Sequence, residues 1–500
     1  MANKYIGLTG ATGLLGSYLL KELLAAGQNV AAFVRKSRTE NARSRMETVL
    51  QHFEKSHGRI LPRPIVIESD LGKENLGIDT EGSSWVHRHV DSMLHNAASL
   101  EFLHDEKTNE PYHSNVGGTK NVLDFCRKYG IRQFHHVSTA YVCGLREGTV
   151  RETELECGQK FGNDYETSKA ASERAVRDAP FLDKITIYRP AIIVGDSITG
   201  YTPTFHGFYT PLKILYPVIN AEDVTVQGVK EMIAALGMNG SDEKNFVPVD
   251  WIARIMAYII LRPQYHGDCY HLAPGNRTRI DTMSDVLAEA LCIPKKERAR
   301  KDGAGSMETP STSPLNLVET FLSQMNVYRA YWRNDPVFDM TNTLSAAGHI
   351  PCPNMDKERM RTLTRYAIQA NFGWPRPKPA VLDFDPDPVL RAFNAETMMC
   401  METEPVKEFQ IGLKIVGAGG GDWTIRLLPS SGNKMKICTE RGIPSTTCPV
   451  ARINTVLFKQ AMEGTLDLHA LPCGDVAWEN TNDSWIKQYG NELLNRVIKR

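Results

Sequence analysis

Two side chains in the first half of the chain, Tyr165 and Lys169, have the types and the spacing that proton transfer requires. The surrounding sequence predicts a helix that begins near Asn163, and residues four apart lie on one face of a helix. A lysine ammonium beside a phenol favours the phenolate and lowers the phenol pKa, which makes the tyrosine a proton donor or acceptor near neutral pH. Because such a pair is common by chance, its meaning depends on the elements that precede it.

A glycine-rich turn near the amino terminus predicts a nucleotide-binding element. The apolar run at 4–8 ends in Gly10, Gly13 and Gly16, and an apolar helical pattern begins at Leu14. Gly10 would permit a tight turn, Gly13 a close approach of the backbone to a pyrophosphate, and Gly16 close packing of helix on strand. A strand, a turn and a helix N-terminus in this order form a dinucleotide site. The alternative is an ordinary strand–helix turn that needs glycine for its geometry alone.

The end of the second strand favours NADPH over NADH. This strand, at 29–34, is followed by Arg35, where an NAD-binding protein carries an acidic residue for the ribose 2′-hydroxyl. A cation at this place suits a 2′-phosphate instead. Arg43 and Arg45 lie on the following helical stretch and could add a second clamp. The alternative is a solvated basic face of a helix.

Strands and helices continue to alternate after this turn, which predicts a Rossmann-type doubly wound α/β fold with a parallel sheet. The third strand ends at Asp70, from which an adenine could be flanked, and the fourth ends in small residues at 96–98 that leave room for a cofactor. His135 and His136 invite a metal interpretation, but no partner spacing of the HExxH kind is present. We therefore predict no metal site.

The composition is typical of a globular protein, with 42% apolar and 23% charged residues among 500. Acidic and basic residues balance at 58 each, which gives no argument for nucleic acid or an anionic membrane as a partner. No signal peptide is expected, because Met1–Lys4 runs directly into the first strand. No integral membrane segment is expected either, because the most apolar helical stretch, 252–261, is far shorter than the roughly 20 residues of a span. Ten cysteines without a CxxC pair favour reduced thiols and a cytoplasmic location.

Together these stretches resemble the extended short-chain dehydrogenase/reductase superfamily over roughly residues 4–280. Within it the chain is most similar to the thioester reductase branch, which includes fatty acyl-CoA reductases and the terminal reductases of polyketide and peptide synthases. The features that carry the resemblance are TGATGLLG at 9–16, the Arg35/Arg45 pair, NAA at 96–98, NVGGT at 115–119, HVSTAYV at 136–142, YxxxK at 165–169 and YRPAIIVGDSITG at 188–200.

The resemblance implies a role for each member of a catalytic set. Thr139 would hold the carbonyl oxygen by a hydrogen bond, with Ser138 as the alternative donor. Tyr165 would donate a proton while NADPH delivers hydride, and Lys169 would bind the nicotinamide ribose and keep the tyrosine pKa low. Asn115 could belong to a water relay to that lysine, or it could serve only to start a helix.

The resemblance also implies which residues hold NADP(H). They come from the glycine turn and from the ends of the strands. The full set is Thr9, Gly10, Thr12, Gly13, Leu14, Leu15, Gly16, Arg35, Arg45, Asp70, Leu71, Asn96, Ala97, Ala98, Lys169, Tyr188, Pro190 and Ile192.

The implied reaction is NADPH-dependent reduction of an acyl thioester carried on CoA or on an acyl carrier protein. Hydride addition would give a hemithioacetal that collapses to an aldehyde, and a second round would give the alcohol. The same apparatus serves sterol-like hydroxy dehydrogenases or isomerases and nucleotide-sugar epimerases or dehydratases. A non-enzymatic alternative is an NADP-binding lipid carrier or sensor, against which the intact Thr139, Tyr165 and Lys169 argue. The aromatic segment at 199–209 could begin a cover for an acyl chain, or it could be a packed connector.

Three parts are expected along the chain. Residues 1–375 would form the reductase, with the NADP-binding core at about 1–200 and 245–280 and a smaller substrate lobe at about 200–245 and 280–375. The lobe would include an exposed insertion at 294–314 and helices at 315–332 and 356–372. A Pro-rich linker would occupy 376–389.

Residues 390–500 would form a separate α+β domain. Gly417–Gly421 precedes a strand-like DWTI at 422–425, so it predicts a hairpin turn and not a second nucleotide site. With FKQAMEGTLD at 458–467 and GDVAWEN at 474–480, the order of elements is similar to sterol-carrier-protein-2-like domains, which hold lipids or acyl groups in an apolar tunnel. The alternative is a small domain for homodimer formation or partner binding.

Overall fold

The computed structural model describes most of the chain. Its described residues are 4–221, 225–234, 239–291, 325, 328–331, 333–375, 379–380, 382, 384–395, 397–399, 408–430, 434–443, 448–468, 476–481, 486, 490–491, 494–495 and 498. The insertion predicted at 294–314 lies outside these residues, as does most of the helical pattern predicted at 315–332.

The amino-terminal part alternates strands and helices, as the sequence predicts. Its elements are β1 (Tyr5–Thr9), α1 (Leu14–Ala25), β2 (Val30–Val34), α2 (Ala42–His57), β3 (Ile65–Glu68), α3 (Thr80–His89), β4 (Val90–His95), α4 (Thr119–Tyr129), β5 (Gln133–Val137), β6 (Thr149–Val150), α5 (Asp164–Arg177), β7 (Lys184–Pro190) and β8 (Ile192–Val194).

The middle part adds short strands and the helices of a lobe. Its elements are α6 (Thr210–Ala221), α7 (Val226–Ala234), β9 (Glu243–Lys244), β10 (Phe246–Pro248), α8 (Val249–Ile260), β11 (Cys269–Leu272), β12 (Thr278–Arg279), α9 (Ile280–Leu291), β13 (Val337–Phe338), α10 (Thr341–Ala347) and α11 (Lys357–Gln369). Apolar side chains of α6, α7, α9 and α11 share a core, which includes Leu212, Val229, Leu287 and Leu363.

Seven parallel strands form the main sheet in the order β11-β7-β5-β4-β1-β2-β3, which confirms the predicted doubly wound fold. The central strands β1 and β2 are buried throughout, as expected of strands covered by helices on both faces. The chain winds from β1 outward to β3, and then continues from β4 in the opposite direction. The loops that follow β1 and β4 therefore diverge and leave a crevice at their carboxyl ends, where ligands bind in folds of this class.

The carboxyl-terminal part has its own sheet and core, as predicted. Its elements are α12 (Asp387–Ala392), β14 (Thr397–Met399), β15 (Phe409–Val416), β16 (Gly421–Pro429), β17 (Lys434–Arg441), β18 (Val450–Asn454), α13 (Thr455–Met462) and β19 (Val476–Glu479). The strand order is β14-β17-β16-β15-β18-β19.

We refer to α12 through β19 as the C-terminal sheet domain. The antiparallel pair β15 and β16 is joined by the glycine-rich turn, which confirms the predicted hairpin. The helix α12 begins at Asp387, inside the stretch expected to be a linker. Among the described residues, no helix has both the length and the apolar character needed to cross a bilayer.

Candidate active site

A cavity of about 610 Å³ opens at the carboxyl ends of the parallel strands and extends into the lobe. It brings together side chains and backbone from the ends of β1, β2, β3, β4, β5 and β7. The residues named from the sequence that line it are Gly10, Thr12, Gly13, Leu14, Leu15, Arg35, Arg45, Asp70, Leu71, Asn96, Ala97, Ala98, Ser138, Thr139, Tyr165, Lys169, Pro190 and Ile192.

The glycine turn has the shape of a pyrophosphate cradle. Gly10 has a φ of +70°, and a Cβ atom there would come within 2.8 Å of the Ala97 nitrogen. Helix α1 begins after Gly13 without a side-chain cap, so the N–H groups of its first turn are left to face the cavity. A helix N-terminus of this kind attracts anions. The residues present therefore fit a dinucleotide phosphate.

Two residues of the predicted cofactor set support the turn from outside the cavity. A Cβ atom on Gly16 would lie 2.0 Å from the Gly10 carbonyl oxygen, so only glycine allows α1 to pack this closely on the turn. The hydroxyl oxygen of Thr9, which is fully buried, accepts hydrogen bonds of 3.1 Å from the backbone nitrogens of Asn96 and Ala97. Thr9 thereby fixes the loop after β4 against the end of β1.

Two arginines stand together at one end of the cavity, beside the glycine turn. Arg45 donates a hydrogen bond of 3.1 Å to the Thr12 hydroxyl and another to the backbone carbonyl of Arg35. Asp70 and Leu71 line the same cavity. Arg43 points the other way, because its guanidinium donates to the carbonyl oxygen of Gly419, 2.9 Å away, in the C-terminal sheet domain. It therefore adds no second clamp to the cavity.

The proposed catalytic side chains come from the end of β5 and the start of α5. Asn163 caps α5, and its side-chain oxygen accepts from the backbone nitrogen of Glu166 at 2.9 Å. Tyr165 therefore lies in the first turn, and its side chain lines the cavity together with that of Thr139, whose hydroxyl donates to the Pro190 carbonyl at 3.4 Å. Lys169 follows one turn later and is almost fully buried. Both helix positions face the cavity, as the four-residue spacing predicted.

The electrostatics of this pair differ from the expectation. Burial raises the pKa of Tyr165 to about 12, although the nearby Thr139 hydroxyl opposes the shift. Lys169 is not among the groups that shift the tyrosine pKa, and its ammonium donates to the backbone carbonyl of Val137 at 2.7 Å. Burial lowers the pKa of Lys169 itself to about 8, and the carboxylate of Glu173 works against this shift. The phenol is accordingly protonated at neutral pH, which suits a proton donor.

Asn115 lies outside the cavity lining and connects two elements around it. Its side-chain nitrogen donates to the Ser168 hydroxyl at 2.9 Å and to the Ser99 carbonyl at 3.1 Å. Its side-chain oxygen accepts from the Ser99 nitrogen at 2.8 Å. These bonds hold helix α5 against the loop after β4, which is a structural role at the start of a helical segment.

Tyr188 also lies away from the cavity. It stands two residues before the end of β7, so its side chain is buried below the crevice. Its hydroxyl is 3.2 Å from Nδ1 of His135, and the two rings stack. Pro190, at the end of the same strand, does reach the cavity.

A buried charge pair lies beneath helix α5. The guanidinium of Arg189 donates to both carboxylate oxygens of Glu173, at 2.7 and 3.1 Å, and both side chains are fully buried. His136, which is also buried, has its pKa held well below the usual histidine value by burial and by the charge of Lys169. Within the ranges that the structure describes, no group of three His, Cys, Asp or Glu side chains could hold a metal ion.

The part of the cavity that faces the lobe contains residues that no pattern in the sequence indicated. The ring of Phe102 lies with its centroid 5.7 Å from that of Tyr165, 5.1 Å from Tyr328 and 5.5 Å from Tyr331. These rings come from segments far apart in sequence, and no local pattern marks them. Buried apolar side chains of the lobe extend the lining, including Phe208, Phe246, Ile280 and Met283.

The segment predicted at 199–209 contributes both to the lining and to packing. Thr202, Thr204 and His206 line the cavity. Phe205, in contrast, packs its ring against Tyr209 and Phe372. The two interpretations left open by the sequence thus apply to different residues of one segment.

Comparisons with known proteins concern the same residues. Residues 8–256 match the family model described as "Male sterility protein". The chain is 27% identical over 301 residues to the L-2-aminoadipate reductase large subunit of Penicillium chrysogenum, a match that covers 56% of this chain and 20% of that protein. The chain spans between 7% and 35% of the lengths of the curated relatives that it matches.

Two solved structures share the fold. The terminal R domain from the myxalamid PKS-NRPS biosynthetic pathway has a TM-score of 0.58 and 24% identity, and the match covers 76% of this chain and 93% of that one. A thiolation-reductase di-domain from an archaeal non-ribosomal peptide synthetase has a TM-score of 0.52 and 18% identity. This match covers 74% of this chain and 76% of that one.

Proposed function

Because residues 8–256 of this chain belong to the Male sterility protein family of NAD(P)-binding oxidoreductases and have the extended short-chain dehydrogenase/reductase fold, we propose that the protein reduces acyl thioesters with NADPH. One observation carries the proposal. Thr139 and Tyr165 line one cavity that has two arginines at one end and an apolar arm at the other.

The chain's own residues account for cofactor binding. The N-terminus of α1 would hold the pyrophosphate, Arg35 and Arg45 the 2′-phosphate, and Lys169 the nicotinamide ribose. Bound NADPH supplies a hydride to the carbonyl carbon of the substrate. Two guanidinium groups at one end of the cavity favour the phosphorylated cofactor over NADH.

Thr139 and Tyr165 would perform the acid–base work. Both hydroxyls donate to the carbonyl oxygen of the thioester, and Tyr165 gives up its proton as negative charge develops there. One hydride and one proton added to the carbonyl give a hemithioacetal. Cleavage of its carbon–sulfur bond releases the aldehyde and a thiol.

The assignment of a thioester is supported by the named reductase relative and by the reductase domains that share the fold. The acyl group would be carried on CoA or on the pantetheine of a carrier protein, and the thiolation-reductase di-domain supports the second source. An apolar arm suits an uncharged acyl chain. The described cysteines are free thiols, which favours a cytoplasmic protein. Lipid binding and dimer formation by the C-terminal sheet domain stay predictions.

Incubation of the full chain with NADPH and octanoyl-CoA or palmitoyl-CoA tests the proposal. We expect the absorbance of NADPH to fall while an aldehyde is formed and trapped. With Tyr165→Phe we expect neither oxidation of NADPH nor aldehyde. A UDP-sugar and a hydroxysteroid with NADP⁺ serve as competing substrates. Turnover of either of these without oxidation of NADPH by any thioester would overturn the assignment.

A further inference from the structure

Helix α2 contacts the cofactor cavity on one face and the C-terminal sheet domain on another. Arg45 lines the cavity, whereas Arg43, two residues earlier, contacts the C-terminal part. Residues two positions apart in an α-helix are separated by about 200° around the helix axis, so the two side chains leave on nearly opposite faces. We propose that the C-terminal sheet domain holds α2 in place through Arg43, and thereby positions Arg45 for the 2′-phosphate of NADPH. This inference rests on the NADPH preference proposed above.

The glycine-rich hairpin supplies the contacts to Arg43. The guanidinium donates to the carbonyl oxygens of Gly419 and Gly420, at 2.9 and 3.5 Å, and forms an ion pair with Asp385. A Cβ atom on Gly419 would lie 2.5 Å from the Phe384 carbonyl, and one on Gly420 would lie 2.1 Å from the Ile415 carbonyl. Glycine is therefore required for the hairpin to present these carbonyls. This explains a motif that has no role in nucleotide binding.

Neighbouring residues of α2 extend the same contact. The Ser44 hydroxyl donates to the Ala380 carbonyl at 2.7 Å, and the Ala380 nitrogen donates to the Thr48 hydroxyl at 2.9 Å. Glu47, which forms a buried ion pair with Arg63, accepts a hydrogen bond of 3.5 Å from the Gly419 nitrogen. The first two turns of α2 are thus bound to the chain around residues 380–385 and to the hairpin.

The cavity side of α2 depends on the placement of the same turns. Arg45 reaches across to the Thr12 hydroxyl and the Arg35 carbonyl, and both belong to the cradle for the cofactor. A helix moves as a rigid element, so loss of the contacts on the Arg43 face shifts Arg45 relative to Thr12. The expected consequence is weaker binding of the 2′-phosphate with little effect on the rest of the cofactor. Arg43 is in this sense a positioning residue.

Another arginine at the same interface provides a matched control. Arg391 of the C-terminal sheet domain forms an ion pair of 2.7 Å with Glu81 on α3, and it does not contact α2. Arg391→Ala removes an ion pair between the same two parts of the chain, although a more exposed one, and leaves the contacts of Arg43 with the hairpin intact. Arg45→Ala, in contrast, removes the phosphate contact directly.

The test measures dissociation constants of NADPH and NADH by nicotinamide fluorescence on the full chain. We expect Arg43→Ala to weaken NADPH binding about fivefold, the lower end of couplings between separate sites, and to leave NADH binding within about twofold. Arg43→Lys should recover part of the loss, and Asp385→Ala should reproduce part of it if Arg43→Ala does not fold. Arg391→Ala should change neither constant.

Equal weakening of both cofactors by Arg43→Ala, or no change, would overturn the inference. Arg45→Ala distinguishes this failure from failure of the cofactor assignment. If Arg45→Ala removes the preference for NADPH while Arg43→Ala does not, the assignment stands and the inference falls. If the wild type binds NADH as tightly as NADPH, the assignment itself is wrong and the inference falls with it.

Discussion

The ammonium group of Lys169 donates a hydrogen bond of 2.7 Å to the main-chain carbonyl oxygen of Val137. Val137 is the last residue of β5 and directly precedes Ser138 and Thr139. The lysine therefore connects helix α5, which carries Tyr165, to the strand that carries Thr139. This bond sets the relative placement of the two hydroxyls that line the cavity.

Replacement of Lys169 by methionine should change how stability depends on pH. The pKa of Lys169 is about 8 in the folded chain and 10.5 as its ordinary value, so the unfolded chain binds more protons between these two values. The contribution of Lys169 to the free energy of unfolding therefore rises with pH in this window. We therefore subtract the free energy of unfolding of Lys169→Met from that of the wild type. We expect this difference to rise by on the order of 2 kcal/mol between pH 8 and pH 10.

Urea unfolding of both proteins at pH 8, 9 and 10 measures this difference. Burial raises the pKa of Cys126 and other thiols, which titrate in the unfolded chain over the same range and lower stability there. Both proteins contain these thiols, so their effect cancels in the difference. A difference that stays flat or decreases with pH would contradict the account.

Alanine substitutions at Gly13 and Gly16 should separate cofactor binding from folding. A Cβ atom on Gly16 would overlap the Gly10 carbonyl oxygen at 2.0 Å, so Gly16→Ala should lower the free energy of unfolding by about 3 kcal/mol. A Cβ atom on Gly13 would have only an ordinary contact of 3.4 Å. Gly13→Ala should change stability by less than about 1 kcal/mol, yet weaken NADPH binding by about tenfold or more.

Thermal unfolding and NADPH titration of the two variants check this contrast. The reverse pattern, with Gly13→Ala unfolding early and Gly16→Ala binding normally, would show that the turn does not approach a pyrophosphate at Gly13.

Thr139 and Ser138 should differ in their effect on turnover. The Thr139 side chain lines the cavity beside Tyr165, and its hydroxyl donates to the Pro190 carbonyl at 3.4 Å. The hydroxyl of Ser138, in contrast, is buried and has no hydrogen-bond partner among the described residues. We expect Thr139→Ala to lower kcat about a hundredfold, as loss of one donor to a developing oxyanion does. Ser138→Ala should lower kcat by less than about threefold. Steady-state kinetics with octanoyl-CoA decides, and a larger loss in Ser138→Ala would reverse the assignment.

Arg189→Met should destabilise the fold, although Arg189 does not line the cavity. The substitution leaves Glu173 buried, with Arg177 as its remaining partner at 2.8 Å. Removal of one member of a buried ion pair costs about 3–5 kcal/mol. Arg177→Met, at a position where the side chain is partly exposed, should cost about 1 kcal/mol or less. Urea unfolding compares the two, and equal losses would mean that burial of Arg189 does not matter.

Much of the proposed cofactor side of the cavity could be predicted from the sequence, because its residues lie in local patterns. The glycine turn, Arg35 and the pair Tyr165 and Lys169 are each defined by neighbours within a few residues. Spacing also placed the pair on one helix face. It could not place the ammonium of Lys169 on the Val137 carbonyl, since that bond depends on how α5 packs on β5.

The proposed substrate side could not be predicted, for a physical reason. Phe102 lies more than two hundred residues before Tyr328 and Tyr331 in the sequence, and only tertiary packing brings their rings together. Likewise, Arg43 and Arg45 look equivalent in the sequence, and only the position of the C-terminal sheet domain separates their roles. Tyr188 lies in a recognisable motif, yet its place two residues before the strand end buries it.

The central claim is that hydride from NADPH reaches the carbonyl carbon of an acyl thioester in this cavity. Incubation of the full chain with octanoyl-CoA and NADPH deuterated at both C4 positions, followed by mass spectrometry of the trapped aldehyde, tests it most directly. We predict one deuterium on the aldehyde carbon of the product. The Tyr165→Phe variant should form this deuterated aldehyde only at its low residual rate. An aldehyde without deuterium, or no aldehyde from any thioester tested, would contradict the account.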